Sequence, residues 1–318
     1  VGRIHLSGAA AALVVVGWSS DAQPLRDRLE GFTAAAHRGR PHHSDGNTIP
    51  GFEHAKADGV PIIETDIRLT KDGVPVVYHD EAIKRTTTGC SGRIDELTLE
   101  DIRACNVGGE FPLPTFEEML QWAAGSIVIN AEFKHPEVAE PAVALVRAYD
   151  AYEWVYFQTK SERSTYERAR AADPRVALQF KPLSRADLDW ALALDDPNLI
   201  VLELDQDLLT ESIAAEVAAS GRLSTANAWR LSRFEELAWD ACDRLFGMGV
   251  NIAVTDQACG CVEAAAAWNA GEGTLLYARI EDTGVVLAGA GLLASAAFGV
   301  RRAVTRRRTT PDQEGTTA

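Results

Sequence analysis

The 318-residue chain reads as an α/β protein of the TIM (β/α)8 barrel type, and three observations predict this. Short apolar or β-branched segments alternate with helical ones from Phe32 to Asn269, giving about eight strands in ~240 residues, as such a barrel requires. Charged and amide residues collect at the C-terminal ends of those segments, where barrels place their reactive groups. The first strand runs into His37-Arg38-Gly39-Arg40, which is not the glycine-rich phosphate turn that the alternative, an open doubly wound sheet, would want.

The elements follow in order. Residues 32–36 are short and apolar and predict the first strand. Residues 40–47 are polar, with Pro41 and Gly46, and predict a loop. Residues 48–58 repeat Ile49, Phe52 and Ala55 at helical spacing, with Thr48 as N-cap and Pro50 in the first turn. Residues 62–69, IIETDIRL, alternate as a strand. Period two puts Glu64 and Asp66 on one face and Ile63, Thr65, Ile67 and Leu69 on the other. Lys71-Asp72-Gly73 predicts a turn, and residues 74–78 a second short strand that delivers His79 near the carboxylates. Residues 80–93 predict an irregular loop. Residues 98–105 predict a short helix capped by Thr98, and residues 114–124 another. In the strand SIVINAEFK, residues 126–134, alternation sets Val128, Asn130, Glu132 and Lys134 on one face. Strands then follow at 154–158, 176–180, 199–204, 222–226 and 251–255. Helices are expected at 136–149, 162–172, 184–194, 210–220, 234–246 and 262–269, the fourth of them stopping at Gly221.

The polar residues at the predicted strand ends are His37 and Arg38, Glu64 and Asp66, His79, Glu132 and Lys134, Gln158, Gln179 and Lys181, Glu203, and Asn227. Carboxylates aimed at one another repel unless a cation lies between them. Oxygen ligands of this kind suit Ca²⁺ or Mg²⁺, so Glu64, Asp66 and Glu132 are candidate ligands for one divalent ion. Two histidines, His37 and His79, and two cations, Arg38 and Lys134, complete a set able to handle a phosphate.

A net charge of −15 argues against nucleic acid as partner and repels anionic substrates unless a local basic cluster reverses the field. Residues 1–22 carry Arg3 and His5, an apolar run and small residues at Ser20 and Ala22. They predict a secretory signal peptide, or an uncleaved anchor. Residues 273–283 read as a linker. Residues 284–300 are uncharged and are followed by Arg301, Arg302, Arg306, Arg307 and Arg308 in a basic tail over 301–318. That pattern predicts a membrane span and resembles a sortase-cut wall-sorting signal, so the domain at 30–272 is expected outside the cell, tethered to membrane or wall. Export permits disulfides. Cys90 is expected to pair with Cys105, and Cys242 with either Cys259 or Cys261.

The compound pattern His37-Arg38, Glu64-x-Asp66, His79 resembles the signature of the glycerophosphodiester phosphodiesterase family. The stretch TKDGVPVVYHD, Arg85-Thr86-Thr87, Glu132-Phe133-Lys134 and Val254-Thr255-Asp256 extend the likeness. The resemblance implies a TIM barrel of the PI-phospholipase C-like type. It implies metal-dependent hydrolysis of glycerophosphodiesters, or of a glycerol-phosphate polymer, to sn-glycerol 3-phosphate and an alcohol. The neighbouring 2-hydroxyl attacks to give a cyclic phosphate, which water opens. By the same resemblance Glu64, Asp66 and Glu132 are metal ligands, His37 and His79 the acid/base pair, and Arg38, Lys134 and Asn227 phosphate or substrate contacts. Two positions depart from the family pattern: Gly46 precedes Asn47-Thr48 where the family has Glu, and Ser224 precedes Thr225-Ala226-Asn227 where it has Trp. Both bear on the alcohol or glycerol end of the substrate. A phospholipase D-like activity on lysolipids and a surface protein that binds glycerophosphodiesters without turnover are the competing readings.

Overall fold

Eight parallel strands close on themselves in the computed structural model, which describes residues 23–39, 46–83, 87–88, 90–107, 111–228 and 238–273. The barrel strands are Thr33–His37, Ile62–Leu69, Val128–Phe133, Val155–Gln158, Ala177–Phe180, Leu199–Glu203, Leu223–Asn227 and Ile252–Thr255. Closure is made by the first strand. It pairs with the second (Ala35 with Ile62, His37 with Glu64) and with the last (Ala35 with Val254).

The period-two alternation decides what each face of a strand meets. Ile63 and Ile67 point outward into the layer between strands and helices, with Phe52, Phe116, Met119, Phe133 and Phe157. Ile62 points inward and joins Ala35, Val128, Tyr156, Ala177, Ile200, Val201, Leu223, Ile252 and Val254 in an interior cluster, with Leu25 and Leu29 from the N-terminal helical turn. The lower barrel is therefore packed with apolar side chains, and the inward positions further along each strand are polar.

Local chemistry sets the connections. Helix Ile49–Ala57 starts at Thr48, whose hydroxyl accepts from the Gly51 N–H, with proline in the first turn. Helices Leu99–Arg103 and Phe116–Ala123 each begin with a capping box, Thr98 with Asp101 and Thr115 with Glu118. Residues 74–78 yield the short strand Pro75–Val77, which pairs antiparallel with the second barrel strand (Ile67 with Val77) and lies outside the ring. The Tyr78 N–H donates to the Asp66 carbonyl at 3.0 Å, and this fixes the approach of His79. Within the stretch expected as an irregular loop, 80–93, Ala82–Ile83 pairs antiparallel with Gly92–Arg93.

Cys90 is bonded to Cys105, and Cys242 to Cys261. The choice at Cys242 follows from helix faces. In Ala258–Asn269, Cys261 is buried toward the preceding helix and Cys259 is exposed. The compact unit holding the barrel ends at Gly273. The predicted leader (1–22), the linker beyond Gly273, the apolar segment (284–300) and the basic tail (301–318) lie outside the described residues. Among the described residues no helix is long and apolar enough to cross a membrane.

Candidate active site

The inward-facing ends of the first three barrel strands meet. Register sets His37 beside Glu64 and Asp66 beside Glu132. One carboxylate oxygen from each of Glu64, Asp66 and Glu132 lies within 4.8 Å of the other two. Glu64 and Asp66 are buried. Burial, reinforced by the charge of Asp66, pushes the Glu64 carboxyl up to about 8. Burial acts the same way on Asp66, but Lys134, His79 and Arg38 outweigh it and hold that carboxyl low, at about 2. The Lys134 ammonium bridges the cluster, 2.6 Å from Asp66 Oδ1 and 2.5 Å from Glu132 Oε1.

The chain around Arg38 is shaped to serve these acids. Arg38 adopts a left-handed φ of 52°, and its N–H donates to Glu64 Oε2 at 3.1 Å. Gly39 follows at φ +83°, where an added β-carbon would come within 2.8 Å of Phe52 and 3.1 Å of the Gly51 backbone. Only glycine fits. Arg38 Nε is buried and ion-paired with Asp66 Oδ2 at 3.3 Å, and makes no hydrogen bond among the described residues. Asn47, also left-handed at φ 60°, donates to Asp66 Oδ2 at 2.8 Å and accepts from the Thr65 hydroxyl at 2.8 Å.

The two histidines stand on either side in different surroundings. His37 Nδ1 is 2.6 Å from Asp256 Oδ1, contributed from just beyond the last strand. Burial alone would lower the His37 pKa, but the Asp256 hydrogen bond and the charge of Glu64 raise it above the ordinary 6.5. His79 Nδ1 is 2.8 Å from Asp80 Oδ1, and burial holds its pKa below 6.5 despite the nearby Asp66. The His79 backbone is clamped by Arg68, which donates to its carbonyl through Nε at 2.8 Å and Nη2 at 2.7 Å, while Arg68 Nη1 meets His135 Nε2 at 2.8 Å.

Asn227 belongs to a neighbouring network. It donates to Glu203 Oε1 at 3.3 Å, and Glu203 also accepts from Gln158, Gln179 and Lys181. Of the sequence-predicted residues, Glu64, Asp66 and Glu132 thus cluster, Lys134 touches Asp66 and Glu132, Arg38 touches Glu64 and Asp66, His37 and His79 flank them, and Asn227 is tied to Glu203. Sequence reasoning gave no role to Asp256, Asn47, Arg68 or Lys160, whose ammonium is 3.1 Å from Glu132 Oε1. Lys160 gave no signal, because it lies past the strand end at Gln158 with a left-handed φ of 51° that strand alternation does not reach.

The fold and the site together define a (β/α)8-barrel protein whose C-terminal mouth carries an all-oxygen acidic cluster between two histidines and several cations. The family model for the glycerophosphoryl diester phosphodiesterase family matches residues 37–177. A Mycobacterium tuberculosis protein named "Probable glycerophosphodiester phosphodiesterase 2" is 31% identical over 180 residues, which cover 53% of this chain and 67% of that protein. The chain belongs to the glycerophosphodiester phosphodiesterase family, whose members are phosphoric diester hydrolases. Mouse glycerophosphodiester phosphodiesterase 1 is 41% identical over 102 residues, 29% of this chain and 30% of the mouse protein. The chain therefore matches under a third of that relative's length. Among solved structures, a glycerophosphoryl diester phosphodiesterase from Parabacteroides distasonis superposes with a TM-score of 0.63 at 19% identity, covering 77% of this chain and 92% of the other. An Oleispira antarctica phosphodiesterase in complex with its product sn-glycerol-3-phosphate gives 0.61 at 21% identity, covering 74% and 97%. Likeness at this identity speaks to the barrel.

Proposed function

We propose that this chain hydrolyses glycerophosphodiesters to sn-glycerol 3-phosphate and an alcohol, using one divalent cation and the His37/His79 pair. The observation that carries the reading is the convergence of Glu64, Asp66 and Glu132 within 4.8 Å of one another, between two histidines of opposite pKa displacement. The donor set fits a hard dication. It is all oxygen, Glu64 and Asp66 are buried and Glu132 half-buried, and burial together with the charge of Asp66 drives the Glu64 carboxyl up. Glu64, Asp66 and Glu132 would hold Ca²⁺ or Mg²⁺, which when bound polarises phosphoryl oxygen and acidifies a substrate hydroxyl.

The chain's own residues supply the rest. His79, neutral near pH 7, is suited to accept the proton of the attacking 2-hydroxyl as the new P–O bond forms. His37, whose pKa the Asp256 hydrogen bond helps to raise, is suited to give its proton to the departing alkoxide as the old P–O bond breaks, and water then opens the cyclic phosphate with the two histidines in exchanged roles. Arg38 and Lys134 offset the charge that grows on the phosphoryl oxygens. A glycerol-phosphate polymer is an alternative substrate with the same bond. The two disulfides support an exported location, and we read residues 284–300 as its membrane or wall tether.

The test is release of sn-glycerol 3-phosphate from glycerophosphocholine by the purified protein with Ca²⁺ or Mg²⁺. Turnover is expected to disappear with a chelator and to fall by at least about 100-fold in His37→Ala. Binding of the diester without release under any divalent ion would overturn hydrolysis in favour of a binding protein.

A further inference from the structure

Lys160 lies at the barrel mouth and takes no part in the chemistry described above. It sits two residues beyond the end of its strand at Gln158, whose strand partner is Glu132, and the turn there carries its side chain back to Glu132. Its ammonium is 3.1 Å from Glu132 Oε1, and 38% of the side chain is exposed. Lys134, by contrast, is almost wholly buried, at 7%. Of these two ammonium groups beside Glu132, Lys160 is the one that opens toward solvent.

The backbone holds it there at a cost. Lys160 adopts φ 51°, a left-handed conformation that a β-carbon disfavours and that persists where surrounding structure imposes it. Its carbonyl accepts from the Lys181 N–H at 2.9 Å, and Thr159 is fixed to the Gln179 carbonyl through its N–H at 2.9 Å and its hydroxyl at 3.1 Å. A lysine on a stitched, strained turn has less freedom than one on a surface loop. The protein as a whole carries −15, so a fixed cation at the mouth counts for more with an incoming anion.

We propose that Lys160 is a specificity residue that reads the charge of the alcohol half of the substrate, favouring anionic over neutral over cationic alcohols. The inference rests on the phosphodiesterase reading and narrows its substrate class toward diesters bearing further phosphate, such as glycerol-phosphate oligomers. At separations of about 7 Å in a partly solvated cleft, one unit of alcohol charge changes affinity by about threefold to tenfold, less at high salt.

The experiment compares glycerophosphocholine, glycerophosphoglycerol and a short glycerol-phosphate oligomer as substrates for the full chain and for Lys160→Met and Lys160→Glu. The preference is read twice, as kcat/KM and as Kd by calorimetry in the presence of Ca²⁺. The wild type is expected to rank oligomer over glycerophosphoglycerol over glycerophosphocholine. Lys160→Met should shrink the oligomer-to-choline ratio by about tenfold, and Lys160→Glu should shrink it further. An unchanged ratio in both variants, with turnover intact, overturns the role of Lys160 and leaves the phosphodiesterase reading standing. Binding that keeps the ranking without turnover has the opposite consequence: the charge reading holds and hydrolysis fails. Failure of the wild type to bind any of the three overturns both.

Discussion

His37 and Asp256 are 219 positions apart in sequence and 2.6 Å apart in space, a contact that exists because the first and last barrel strands are neighbours. It bears directly on the pH dependence expected of the enzyme. His37 is raised above 6.5 and His79 lowered below it. If His37 is the acid and His79 the base, kcat/KM is bell-shaped, rising through the His79 pKa on the acid side of 6.5 and falling through the His37 pKa on the alkaline side. In Asp256→Asn the hydrogen-bonded carboxylate is gone, and the burial that lowers His37 is no longer outweighed by it. The alkaline limb should move to lower pH and the acid limb should stay where it is. Activity loss should then be larger at alkaline than at neutral pH. A pH–rate profile checks this, and a uniform loss with both limbs in place would remove Asp256 from the role assigned to it. Arg68 was invisible to sequence reading for a related reason: its acceptor is the backbone carbonyl of His79, and every residue has one. Asn227 shows the converse. Its place at a strand end was legible, but its partner Glu203 could not be told from any other acid at the mouth until the strand order was known.

At the scale of elements, the strands and helices were legible because their signals are local. Thr48, Thr98 and Thr115 all cap the helices they precede, and the alternation in residues 62–69 and 126–134 orients Glu64, Asp66 and Glu132 as it requires. Pro75–Val77 has the composition of a strand but not the length of a barrel strand. Its antiparallel pairing follows from the short turn before it, since a parallel neighbour needs a crossover. Helix 136–149 begins instead as a 3-10 turn at Pro136–Val138 before Ala139–Ala148. The turn after the first strand is where element geometry and site geometry coincide. Gly39→Ala puts a β-carbon at φ +83° against Phe52 and the Gly51 backbone, so the strand end, or the helix Ile49–Ala57, has to shift. The expected cost is about 2–3 kcal/mol, seen as a fall of about 5 °C or more in Tm. Arg38 and Glu64 are joined through the adjacent peptide, so kcat/KM should fall as well. A variant that melts and turns over like wild type would mean the loop relaxes freely, and the argument for a glycine-only position would be lost.

For the whole molecule, the two disulfides connect stability to compartment. Which cysteine Cys242 chooses was open in the sequence because Cys259 and Cys261 lie two apart, and only the packing of the last two helices separates a buried face from an exposed one. The bridges close segments of 15 and 19 residues. In the chain-entropy model each such closure contributes about 3 kcal/mol by restricting the unfolded chain. Cys242–Cys261 spans the strand Ile252–Thr255 and, directly after it, Asp256. Cys90–Cys105 spans the 3-10 turn Ile94–Glu96 and the helix Leu99–Arg103. Cys242–Cys261 therefore braces the segment that carries the partner of His37, and Cys90–Cys105 lies apart from both histidines. Reduction should lower Tm by on the order of 10 °C, and Cys242→Ser should reproduce roughly half of that while leaving the Cys90–Cys105 bridge intact by mass spectrometry. Activity should survive reduction below the lowered transition, because no sulfur touches the acid cluster. A reductant-insensitive melt would show that the barrel stands without its bridges, and it would withdraw the support they lend to an exported location.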